Sequence, residues 1–86
     1  MTYRIEFVRS AARAYARLDP VSRRRVDREL ERLREAPRHP GVVRLQSEES
    51  IHRVRIGDLR LLFSIEDEVL IVLIVRLGQR GSVYRG

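Results

Sequence analysis

The chain contains no cysteine, so neither disulfides nor thiolate metal sites can hold it together, a composition that suits a reducing compartment. Lysine is missing too: all 18 cationic side chains are arginine. A coding bias toward arginine accounts for most of these positions, but the chemical consequence is the same. No ammonium group here can give up its proton and act as a base, because guanidinium stays charged. Long apolar runs are also absent. The opening "MTYRIEFVRS" has no signal-peptide core, and the longest apolar stretch, "VLIVLIV" at 69–75, is too short to span a bilayer. A cytoplasmic protein with no membrane partner is expected.

What is there fits one small domain, residues 1–86, with a modest core and a net charge of +6. That charge favours anionic partners: nucleic acid, an acidic protein segment or an anionic membrane surface. The two histidines, His39 and His52, are distant from each other, so no metal site is expected. No glycine-rich phosphate loop or serine–histidine–acid arrangement is visible, and no cofactor is expected.

Residues 2–8, "TYRIEFV", alternate as in a half-buried strand, with Tyr3, Ile5 and Phe7 on one side. Ser10 is the predicted N-cap of a helix through "AARAYARL", whose apolar stripe would be Ala12, Tyr15, Ala16 and Leu18. Asp19 followed by Pro20 predicts a cap and first turn for a second helix running to about Ala36, burying Val26, Leu30 and Leu33. Its interleaved arginines and acids read as solvated surface with i,i+4 ion pairs. After a long connection with a short extended piece at "VVRL", three strands are predicted over Ile51–Ile56, Leu59–Ile65 and Val69–Leu77, with "EDE" at 66–68 turning the last two. The order implies an α+β fold: a small single domain, N-terminal strand and two helices packed on one face of a mainly antiparallel sheet. The last strand, apolar on both sides, is expected to be central and covered twice.

Gly57-Asp58 between two alternating runs predicts a two-residue hairpin loop with glycine first. Arithmetic then pairs Ile56 with Leu59, Arg55 with Arg60, Val54 with Leu61, Arg53 with Leu62 and His52 with Phe63. One side of the ribbon is apolar and must pack under the helices. The other carries Arg53, Arg55 and Arg60, expected on an open face with no strand acid among them. Two opposed guanidinium groups about 5 Å apart repel by ~1 kcal/mol in water and ~3 kcal/mol at a protein surface. Either water solvates an accidental cluster or an outside anion answers it, and a polyanionic backbone is the natural candidate. His52, facing Phe63, is expected to be structural rather than a base. His39, in a loop between prolines, shows no partner in the sequence.

In the tail "VRLGQRGSVYRG", Arg80 and Tyr84 stand four apart between glycines, and Arg85 follows. Such a tyrosine can stack on a base, donate to phosphate or ionise more readily beside cations; it can also simply pack its ring on the domain.

Nearly end to end, from "YRIEF" and "SAARAYARL" through "LREAPRHPG" to "HRVRIGDLRLLFSIEDEVLIVLIVRLGQRGSVYR", the chain resembles the RelE-type toxins of the RelE/ParE superfamily. The specific part is R-x-R-x-G-D-x-R, an apolar hairpin, R-x-G-x-R and V-Y-R, in that order. The resemblance implies a RelE-like fold and a type II toxin. It implies a metal-independent, ribosome-dependent messenger RNA endoribonuclease, silenced by a cognate acidic antitoxin in a hetero-oligomer. It places the catalytic arginines at Arg60 and Arg80 and the catalytic tyrosine at Tyr84, with Arg53 and Arg55 as the basic pair of the preceding strand; Arg85 is a further candidate for RNA binding. There are departures from the family pattern: Leu59 and Phe63 stand where tyrosines are frequent, His52 for an aromatic, Gln79 for histidine or lysine, and Gln46 near a position often basic. Because Arg53 and Arg55 replace possible lysines, a lysine-type base is excluded. Two other classes stay open: a ParE-like toxin that inhibits DNA gyrase by binding it, and a non-catalytic basic RNA-binding module.

Overall fold

The structure, a computed structural model, describes residues 2–48 and 50–79. In chain order the elements are β1 (Arg4–Phe7), α1 (Arg9–Ala16), α2 (Pro20–Glu35), β2 (Val43–Arg44), β3 (His52–Ile56), β4 (Leu59–Glu66) and β5 (Ile71–Gln79). The strands form one sheet in the order β1-β5-β4-β3-β2, antiparallel except for the parallel β1–β5 pair. The helices cover one face. There Ala11, Val26 and Leu33 meet Val54, Ile56, Leu61, Phe63, Val72, Ile74 and Leu77, the core of the α+β domain.

Local chemistry explains the second helix well. The Asp19 side chain accepts from the Ser22 backbone N–H at 3.2 Å and Pro20 occupies the first turn, so one orphan donor is satisfied and another position has none to satisfy. The first helix starts differently from the expectation. Val8, not Ser10, is its N-cap, because Val8 N–H still donates to Ile74 O at 2.9 Å and the chain turns into helix directly after that strand-like bond. The buried stripe moves accordingly, to Ala11, Ala14, Tyr15 and Leu18, with Ala12 and Ala16 exposed. At the far end the carbonyls of Tyr15 and Ala16 accept from Arg23 of α2, whose guanidinium carbon also lies 5.0 Å from the Tyr15 ring centroid. One arginine thus neutralises a helix C-terminus and packs on a ring.

The expectation that the last strand is the central one is corrected. β4 holds the middle place, and Arg60 to Ser64 are all buried, whereas β5 is buried mainly on its helix side. Periodicity cannot distinguish the two, since both are apolar at most positions.

A surface cluster closes the sheet end near the β4–β5 turn. Asp67 receives Tyr3 Oη at 2.6 Å and both terminal nitrogens of Arg38 at 2.8 and 3.1 Å. These donors, Arg38 first, hold its carboxyl down at about 2. A depressed folded-state pKa contributes stability that is complete above the ordinary aspartate value and is lost as pH falls through about 2. The Asp67→Asn variant is therefore expected to melt below the parent at neutral pH and to match it near pH 2, which thermal scans across that range check.

Candidate nucleic-acid interface

The hairpin that carries the arginines has the predicted register at every pair from His52↔Phe63 to Ile56↔Leu59, including Arg55↔Arg60. Gly57 makes it possible with φ of 60°, a conformation that strains any residue with a Cβ. Strand alternation then puts Arg53, Arg55 and Arg60 together on the face away from the helices.

β5 adds a fourth guanidinium to that face by an irregularity. Val72 and Ile74 point into the core, so strict alternation would send Arg76 there as well. Instead the register slips between Leu62 and Phe63: Phe63 pairs with Ile74, Leu62 with Arg76 and Leu61 with Leu77. The extra residue, Val75, inverts the pleat. Leu77 is buried at 8% exposure and Arg76 lies opposite Leu62 on the open face. One row across that face reads Val43, Arg53, Leu62, Arg76; the next reads Arg55, Arg60, Gly78. With strands about 4.8 Å apart, the backbones of Arg53 and Arg76 lie about 10 Å apart across Leu62.

None of these four arginine side chains has a hydrogen bond or ion pair with another described residue. The ion pairs lie elsewhere: Arg4–Glu6 on β1, Arg32–Glu29 and Arg34–Glu31 on α2, Arg38–Asp67 at the turn. The face differs from the expected open one in one respect. Only Arg55 and Arg76 are exposed; Arg53 is half-buried and Arg60 is 6% exposed. The Nε atoms of Arg53 and Arg60 are buried with no hydrogen-bond partner. A residue on the middle strand is flanked by side chains of both neighbouring strands, so a guanidinium placed there loses contact with water without gaining a carboxylate among the described residues. Arg23 Nε and His52 Nδ1 are in the same state elsewhere in the fold, so it is the grouping of Arg53 and Arg60 on one face that sets this place apart.

The histidines divide. His52 stacks on Phe63 with ring centroids 5.8 Å apart, and burial first, then Arg38 and Arg44, push its pKa below the usual histidine range. It sits on the core side, as its pairing with Phe63 requires. His39, for which the sequence shows no partner, has three. Its Nε2 lies 2.6 Å from Glu29 Oε2, and its Nδ1 accepts from Gly41 N–H at 3.1 Å, with Arg32 at 3.4 Å. Both His39 and Glu29 are buried. The signal for Glu29 was there: it lies three residues after Val26 and four before Leu33, on the buried helix stripe. Arg76 had no such signal, because a bulge cannot be read from an unbroken apolar run. Arg80, Tyr84 and Arg85 lie outside the described residues.

An arginine-faced mixed sheet covered by two N-terminal helices is the architecture of type II toxins of the RelE/ParE superfamily. The RelE–RelB complex of the archaeon Pyrococcus horikoshii matches with a TM-score of 0.79 and 26% identity, covering 95% of this chain and 99% of that one. The RelBE2 toxin–antitoxin complex of Mycobacterium tuberculosis matches at 0.81 and 27%, covering 95% of both chains. The isolated RelE toxin of E. coli, at 22% identity, a TM-score of 0.81 and coverage of 95% and 90%, shares the fold. None of the curated proteins compared with the chain matches it. The family model for the ParE toxin of the type II toxin–antitoxin system parDE matches residues 5–84, and the chain belongs to that family.

Proposed function

We propose that the chain is a RelE-like toxin that cleaves messenger RNA on the ribosome without metal, and that it is held inactive in a hetero-oligomer with an acidic antitoxin. The observation that carries this is the cluster of Arg53, Arg55, Arg60 and Arg76 on one sheet face, none of them paired with an acid among the described residues, in which Arg60 is buried with an unpaired Nε. The RelE proteins of the Pyrococcus and Mycobacterium complexes, more than a quarter identical over nearly the whole chain and each paired with its antitoxin, support it further.

Cleavage by the 2′-hydroxyl needs a base, cations for the charged phosphorane and relief of charge on the leaving 5′-oxygen. Tyr84 as phenolate, a form that neighbouring cations favour, takes the 2′-hydroxyl proton. The oxygen attacks the adjacent phosphorus, the bond to the 5′-oxygen breaks, and a 2′,3′-cyclic phosphate results. Arg60 and Arg80 hold the phosphate oxygens, with Arg80 beside the leaving oxygen; guanidinium is too weak an acid to donate its proton, so the contribution is electrostatic. Arg53, Arg55 and Arg85 position the strand. The ribosome places the work in the cytoplasm. Among the described residues no helix is long and apolar enough to cross a membrane.

The family model is that of a ParE toxin, which favours the second reading left open by the sequence, a toxin that binds DNA gyrase without chemistry. The purified toxin is expected to cut ribosome-bound message in a translating extract, to leave gyrase supercoiling unaffected, and to lose cutting by about 10²-fold or more in Tyr84→Phe. Inhibited supercoiling with intact message would establish the ParE-like reading instead. Undiminished cutting by Tyr84→Phe would remove the tyrosine from the mechanism.

A further inference from the structure

Beside the arginines the open face sinks into a cavity of about 320 Å³ lined by Ser10, Glu48, Ile51, Leu62, Val75 and Arg76. This is near the lower end of the ~300–1,000 Å³ range of small-ligand sites. Ile51, Leu62 and Val75 supply apolar walls. Glu48 and Arg76 are both exposed and carry opposite charges, and their side chains bond neither to each other nor to any other described residue. Leu62 is the shared element, since it faces Arg53 on one side and Arg76 on the other. The Val75 bulge creates both the wall and the arginine, because without it Arg76 would point into the core.

We propose that this cavity takes one nucleobase of the bound RNA strand, with Glu48 selecting a base that carries an exocyclic amino group over uracil and Arg76 holding the neighbouring phosphate. The inference rests on the RNA-binding part of the proposed function. Ile51, Leu62 and Val75 give van der Waals contact to the face of any base and do not distinguish among bases. Choice comes from the carboxylate, which only accepts hydrogen bonds. Adenine, cytosine and guanine each offer it an amino N–H, the contact by which acidic side chains engage the cytosine amino group. Uracil offers one N–H flanked by two carbonyl oxygens, which a carboxylate repels. Arg76 is a positioning residue here: its guanidinium fixes the backbone so that the next phosphate reaches Arg60.

The test measures fluorescence anisotropy of five-nucleotide RNAs, 2′-O-methylated so that they cannot be cut and differing only in the central base. The purified full-length toxin is expected to bind the adenine, cytosine and guanine oligomers about tenfold more tightly than the uracil one, as expected when a built polar group is left unmatched. Glu48→Ala should bring the four within about twofold. Arg76→Ala should weaken all four alike and reduce the dependence of log K on log salt by about 0.7, the contribution of one phosphate on a single strand. Equal binding of uracil by the parent, or discrimination that survives Glu48→Ala, would overturn the proposal. Message cleavage is followed with the same preparations: base discrimination without cleavage sinks the nuclease and keeps the subsite, and cleavage without discrimination does the reverse.

Discussion

Replacing Arg60 by methionine is expected to abolish message cleavage and to make the protein more stable. The two effects have one cause. Arg60 lies on the central strand at 6% exposure, opposite Arg55, with its Nε buried and unpartnered. In the free protein most of that side chain, its Nε included, is out of water and meets nothing of opposite charge among the described residues. Exchanging a buried charge for an apolar side chain of similar length is commonly worth about 1–4 kcal/mol of stability. In a domain of this size, 1 kcal/mol moves the melting temperature by roughly 4–8 °C. On the proposed pathway the same side chain meets a phosphorane that becomes more negative as the bond forms, and losing one preorganised donor to a developing oxyanion costs about 10²–10³-fold in rate. Thermal denaturation and primer extension on ribosome-bound message check the two halves. A methionine variant that melts lower than the parent would show that Arg60 holds the fold together. Its place in the site would then be structural, because strain kept for a ligand cannot also be a stabilising contact.

The second large effect lies outside the arginine face. Gly41 N–H donates to His39 Nδ1, so that nitrogen is the acceptor and the proton sits on Nε2, pointing at Glu29 Oε2 2.6 Å away. His39→Ala removes that donor and leaves a carboxylate buried on α2, with Arg32 no nearer than 3.6 Å. Loss of about 3 kcal/mol is expected in urea unfolding, the cost of stranding a buried charge. Glu29→Gln, whose amide oxygen still accepts, should lose about 1 kcal/mol, as for a single hydrogen bond. Joint replacement of Glu29 and His39 by leucine should cost less than the sum of the separate losses, since no stranded charge remains. Additive losses would mean the two side chains do not act as a pair. The contact has a consequence for the site, because the loop it ties down leads into β2, whose Val43 pairs with Arg53.

The parts legible in the sequence were those set by neighbours along the chain. Asp19 and Pro20 start α2 because a cap and a fixed φ act over three residues. Gly57-Asp58 determines the pairing of ten residues because a two-residue turn leaves no freedom of register. Residues whose role depends on distant contacts were misplaced. The N-cap of α1 moved from Ser10 to Val8 because a parallel bond to Ile74 extends β1, and that bond joins parts of the chain far apart in sequence. The partner of His39 stayed hidden because Glu29 lies on another element and looks, by type, like a surface residue.

Composition, alternation and one turn therefore determined by themselves that three arginines share a sheet face, and the motif order pointed to the toxin superfamily. Only the tertiary structure decided which strand is central and hence that Arg60 is buried while Arg55 stays exposed. It alone placed Arg76 on the same face, because a bulge trades a local backbone irregularity against the burial of Leu77 and so answers to the packing of the whole sheet.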